Sequence, residues 1–468
     1  MAGHSNNHGA VDEQLMLGDR ARPLYGAAIV AAVAGLAVAL ILGFISDSSL
    51  RRFFFGYMVA FAFFLSISLG ALIMVLLQFL TRAAWSVTVR RTAENVAAVI
   101  PILGILSIPL IATVLIQRGT VYRWALPYDQ STPEARAAAA KGEAEEEPEQ
   151  VATTSQESVQ IKNQNPNTAK GGESTGRLML DSTTLQKRKW MNPWFWTIRV
   201  IAYFLIWSCL ALWYRRQSLL QDETGDPTLT SKMQFWSGIC VVIVGATATG
   251  AAGDFMMSLD PHWYSTIFGI YYIVGGILGS WATLIVITRL LQEAGYLKRS
   301  VTVEHYQDLG KYLFGFTFFW GYTAFSQYML LWYANIPEEI EWFNRHGATT
   351  VPHNITGWSY VIVALLFGQL LIPFAGLLSR HVKRHQVLLF WAVWVLFFHY
   401  LDEYWLVMPE YHVASGRHWT AFSLVIDLAA FFGVGGVFVA ALLRNMAPHS
   451  LRPAADPRLP DSLAFHNV

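Results

Sequence analysis

The chain of 468 residues is 54% hydrophobic before its 35 glycines are counted, and only 14% of it is charged. An ordinary soluble chain is roughly 25% charged, and a globule of this size cannot hide so much apolar surface in one core. The composition therefore describes an integral membrane protein, and the formal net charge of +1 gives no sign of a nucleic-acid partner.

A polar N-terminal tail (1–23) precedes the first apolar run, an order that does not suit a cleaved secretory signal. A hydrocarbon core of about 30 Å needs about 20 apolar residues of helix. Ten segments qualify: 24–45, 53–80, 92–116, 194–214, 233–258, 264–288, 312–336, 355–378, 387–408 and 421–443. The runs are long and do not alternate, so they read as helices and not as barrel strands. The expected organisation is three spans in 24–116, an external loop over 117–193, seven spans in 194–443, and a C-terminal tail over 444–468. Pro101, Pro109 and Pro373 fall inside spans, where neighbouring helices can satisfy the carbonyls they free.

Orientation follows from the short loops. One side carries 18 Lys and Arg residues, the other only Arg51, Arg52, Arg345 and Arg417. The positive-inside rule then puts both termini in the cytoplasm and the 117–193 loop outside. The middle of that loop, 129–186, is rich in Glu, Ala, Ser, Thr and Gln and nearly free of aromatics, and it reads as a flexible insert.

Redox-metal signatures are absent. Only His399 lies deep in a span, Cys209 and Cys240 sit singly in apolar runs, and there is no CxxCH, HExxH or Gly-rich nucleotide loop. The chain is expected to bind no cofactor of its own. Ionisable groups within spans are few: Glu94, Asp254, His399, Asp402, Glu403 and Asp427, with Arg199 placed to snorkel at a span end. An acid at the bilayer centre costs about 3 kcal/mol on insertion scales, so each is a proton-path candidate, or else a paired group locking two helices. His399, Asp402 and Glu403 stand at i, i+3 and i+4 and share one helix face, which suits a proton relay. Between these groups and Glu94 the spans offer only Ser66, Ser68, Thr247, Thr249 and Gln369. Two outer loops stand out: SLDPHWYST with Asp260, His262 and Trp263, and YANIPEEIEWF with Glu338 and Glu339. They read either as a Pro-broken helix end and an acidic loop, or as a docking surface or quinol-site rim.

MSLDPHWYSTIFGIYYIVGG, FWGYTAFSQYMLLWYANIPEE and LDEYWLVMP resemble the membrane subunits of the polysulfide reductase/NrfD family. The likeness is nearest to the second such subunit (ActF-type) of bacterial alternative complex III, a quinol:electron-acceptor oxidoreductase. It runs over nearly the whole chain except the tails and the insert. The resemblance implies two four-helix bundles, spans two to five and six to nine, flanked by the first and last helices. It implies a respiratory or photosynthetic complex in the bacterial inner membrane, with a sister NrfD-like subunit, an iron–sulfur subunit and multihaem cytochrome c subunits as partners. Haem c and the iron–sulfur clusters would sit in those partners, and quinone or quinol binding by this chain is left open. By motif, Asp260, His262 and Asp402 match family positions. Two other classes stay open: a purely structural scaffold of such a complex, and a secondary transporter. On none of these readings is the chain an enzyme by itself.

Overall fold

The computed structural model describes residues 13–126, 187–348, 355–380, 382–383, 386–415 and 421–466; the 129–186 insert lies outside them. Every regular element among the described residues is helical. In chain order the helices are α1 (Ala21–Ser46), α2 (Arg51–Leu80), α3 (Val87–Ala97), α4 (Ile100–Leu106), α5 (Ile108–Leu115), α6 (Pro193–Thr224), α7 (Thr228–Phe255) and α8 (Phe268–Glu293). They continue with α9 (Val303–Ala334), α10 (Pro337–Arg345), α11 (Gly357–Leu365), α12 (Ile372–Gly376), α13 (Gln386–Ser415), α14 (Ala421–Met446) and α15 (Leu459–Leu463).

Nine helical segments among the described residues are long and apolar enough to cross a membrane, and the chain is a multi-pass, all-α membrane protein. The third span is the α3–α4–α5 run, with Pro101 and Pro109 each in the first turn of a new segment. The tenth expected span, α9, has 32 residues. It falls outside the nine because Trp320, Tyr322, Tyr328, Trp332 and Tyr333 take the place of aliphatic residues. Its position in the bundle, packed on α8 and on the α11–α12 segment, is that of a span.

α2 is apolar all round and buried along its length, which is the pattern of a helix enclosed by others. It packs on α3 and α7 on one side and on α8, α13 and α14 on the other. Helices α2 to α7 form one four-span bundle and α8 to α13 a second, while α14 holds α1 against their junction. The bundles meet where α2 crosses α8. A side chain at Gly276 would come within 2.5 Å of the Ser66 carbonyl, so only glycine lets the backbones touch there. Ser280 Oγ donates to the Ile67 carbonyl at 2.5 Å across the same crossing. The described residues nearest the two termini meet on one face of the molecule: Gly18 N donates to Ala447 O and Leu451 N to Leu15 O. This is the termini face, and the opposite one is the loop face.

Candidate functional site

The ninth-span cluster lies at the bundle junction. His399 is fully buried, and its ring fills the space left by Gly275 and Gly279 of α8; a Cβ at Gly279 would sit 2.7 Å from its ring. Its Nε2 lies 2.8 Å from Ser66 Oγ, which donates its own proton to the Phe63 carbonyl. Nε2 therefore carries the hydrogen in that pair, and Nδ1 is left bare and without a partner. Glu403, one turn on, brings Oε1 to 3.9 Å from Nε2, while its Oε2 is buried with no hydrogen bond. Asp402 points elsewhere: it accepts from the Tyr271 hydroxyl of α8 and, at 3.0 Å, from Trp320 Nε1 of α9. So the shared face brings His399 and Glu403 together, while Asp402 turns into the second bundle.

The other acids expected inside spans are held by arginines. Arg199 Nε and Nη2 grip Asp254 at 2.8 and 2.6 Å, and Tyr203 donates to the same carboxylate at 3.0 Å. Arg199 thus does not snorkel: it is 8% exposed and committed to an ion pair within the first bundle. Arg52 bonds Asp427 of α14, with Tyr404 adding a hydrogen bond at 3.0 Å. Arg52, a loop cation by the sequence pattern, is 1% exposed, because a carboxylate inside the protein draws it in. Glu94 lies 3.0 Å from Arg90 Nε and 3.0 Å from Arg91 Nε, while Arg90 reaches Asp456 at 2.8 Å and Arg91 reaches Asp222 at 2.7 Å. The C-terminal tail covers this cluster. Burial pushes the Asp456 carboxyl up, but the Arg90 charge and the Arg458 hydrogen bond outweigh it and hold the pKa down at about 2.

At the loop face, Asp260 is buried and bound by Arg345 of α10, whose Nη1 is 3.9 Å from Glu410 of α13. His262 is exposed beside it, Nδ1 3.6 Å from the Asp260 carboxylate. The indole of Trp263 is stacked on Trp342 at 4.1 Å, and Trp342 on His346 at 3.6 Å. Burial pushes the His346 imidazole down to about 3, so it is a neutral packing group. Glu339 is half-buried in the first turn of α10, and the side chain of Glu338 lies outside the described residues. At this rim the Trp263 face is covered by Trp342 and the Asp260 carboxylate is engaged by Arg345.

Of the mid-span polar groups, Ser66 joins the cluster, whereas Thr247 accepts from Trp207 Nε1 and Thr249 bonds back to Gly245. Gln369 lies in a π-helical turn, Leu366–Leu371, fully buried with both amide ends unpaired. Gln78, Thr288 and Gln307, which sequence reading passes over, are also buried with unpaired side-chain atoms. In folded proteins such groups are normally satisfied by internal water. Glu410, seven residues from Glu403 on the same helix face, is a further buried acid that sequence reading passes over. Among the described residues, no group of three or more His, Cys, Asp or Glu is arranged to hold a metal ion. No protein-family model matches the chain, and no curated protein matches it.

Proposed function

We propose that this chain is a proton-conducting membrane subunit of a quinol:electron-acceptor oxidoreductase of the alternative complex III type, set in a bacterial inner membrane with both termini cytoplasmic. The observation that carries the proton role is the contrast among buried acids. Glu94, Asp254 and Asp427 each face an arginine. Asp402 and Glu403 meet hydroxyl, indole and imidazole groups instead. A carboxylate in low dielectric needs a counter-charge, and where no cation touches it the available one is a proton. On this reading a proton taken up at the bare Nδ1 of His399 lets Nε2 release its own to the Glu403 carboxylate across the 3.9 Å gap, through a bridging water or a small rotation. Glu410, two turns or about 10 Å further along α13, then carries it toward the exposed His262 at the loop face. Toward the termini face, water held by Gln78, Thr288 and Gln307 supplies the approach. Electrons travel in partner subunits, and no step of quinol chemistry is assigned to this chain.

The scaffold reading has its own support, since two of the buried acids, Asp254 and Asp427, serve as interhelical ion pairs. Purification of the native complex separates the proposals: co-elution with haem c and iron–sulfur protein is expected, and elution alone would overturn membership of such a complex. Protease added to right-side-out vesicles should cut within about 131–186 and spare both tails, and cleavage confined to inverted vesicles would reverse the orientation.

A further inference from the structure

A cleft of about 1940 Å³ runs along the outside of the molecule. One wall is α14 over most of its length; the other is α13 toward the loop face and α8 toward the termini face, with Phe63 and Phe64 of α2 between them. At the termini-face half the lining is aliphatic, including Leu24, Ala27, Val286, Leu290 and Leu443. The small residues of α1 leave this half open. Its mouth carries one charged side chain among the described residues, Arg20, which is exposed and donates to Gln14 Oε1 at 3.0 Å. Arg22 is 83% exposed on its side chain, pairs with Asp19 and forms no part of the wall.

An aliphatic slot within one leaflet, closed at its end by a guanidinium, is complementary to acyl chains below an anionic phosphate. We infer that the termini-face half of the groove is a binding site for one anionic diacyl phospholipid, its phosphate on Arg20 and its chains between α8 and α14. This site fixes the α1–α14 pair against the second bundle, where direct helix contacts are few, and it stands independently of any proton or redox role.

Native mass spectrometry of the full chain in detergent tests it, with phosphatidylglycerol and phosphatidylcholine of equal chain length as probes. The wild type should retain one phosphatidylglycerol in preference to phosphatidylcholine. Arg20→Gln should weaken phosphatidylglycerol binding about fivefold and leave phosphatidylcholine unchanged, the loss expected for one basic residue near a lipid surface. Ala27→Trp and, independently, Leu290→Trp fill the slot and should weaken both lipids; both positions are exposed in the groove, so the fold survives the change. Arg22→Gln should change neither. Equal retention of the two lipids, an Arg22→Gln effect matching that of Arg20→Gln, or slot-filling variants that bind as the wild type would each overturn the site.

Discussion

The first bundle and the second bury their acids in opposite ways. In the first, Asp254 meets a two-pronged guanidinium and a tyrosine hydroxyl, and its charge is compensated at fixed geometry. In the second, Asp402 and Glu403 lie in an equally dry setting with donors but no cation in contact. The first arrangement is stable only with both partners ionised. The second leaves protonation free to change without stranding an opposite charge. A buried acid is therefore not informative by itself; its partner decides whether it is a rivet or a carrier.

The sharpest way to break this comparison is to remove one half of a rivet. Asp254→Leu leaves Arg199 buried without its counter-charge, a loss of about 3–5 kcal/mol. Folded yield and thermal stability in detergent should fall steeply. Arg199→Leu should do the same, and the double substitution should recover much of the loss, because no lone charge remains. Asp427→Leu against Arg52 should follow the same pattern. If either single variant were as stable as the wild type, the pairs would not be structural.

The carrier side should respond differently. Asp402→Asn keeps the side-chain size and one acceptor oxygen but turns an amide N–H toward one of the two donors, Tyr271 or Trp320. The expected cost is about 1 kcal/mol, so the complex should still assemble. Proton release coupled to turnover should nevertheless drop about tenfold or more, as for loss of a proton-transferring group. Glu403→Gln should match it. Wild-type proton stoichiometry in both variants, with assembly lost only in Asp402→Leu, would place these residues with the rivets.

What could be read from the chain alone separates along the same line. Span number and the His399–Glu403 face depend on local periodicity, and both are found in the structure. The partners of the acids are not local: Arg199 and Asp254 are 55 residues apart, Tyr271 and Asp402 are 131 apart, and Arg52 and Asp427 are 375 apart. No spacing rule reaches across such distances, so Arg52 and Arg199 looked like interfacial cations. Glu410 is within reach of periodicity, but the apolar run of the ninth span stops at residue 408, whereas α13 runs on through Pro409 to Ser415. The aromatic α9 shows the converse, a span that local composition placed before packing was known.

A further test sharpens the comparison at a pair that solvent pH can reach. Asp456 lies outside the spans, in the tail that caps Arg90, and its folded-state pKa is about 2 against an ordinary 3.8. A depressed carboxyl adds stability that is fully present above the unfolded value and is lost as pH falls toward the folded one. The window is therefore about pH 4 down to pH 2, and the contribution at neutral pH is about 2 kcal/mol. Asp456→Asn should lower thermal stability at pH 6, with the gap to the wild type narrowing through that window and nearly closed at its lower end. Hydrogen exchange at the Ala454 and Ala455 amides, which donate to Asp222 at 2.7 and 3.2 Å, would report whether the tail lifts in the same range. A gap that stayed constant down to pH 2 would mean that Asp456 acts through packing and not through its charge. It would then belong with neither class of acid. A gap that closes identifies it as a third rivet, exposed to pH only because the tail lies outside the membrane-spanning helices.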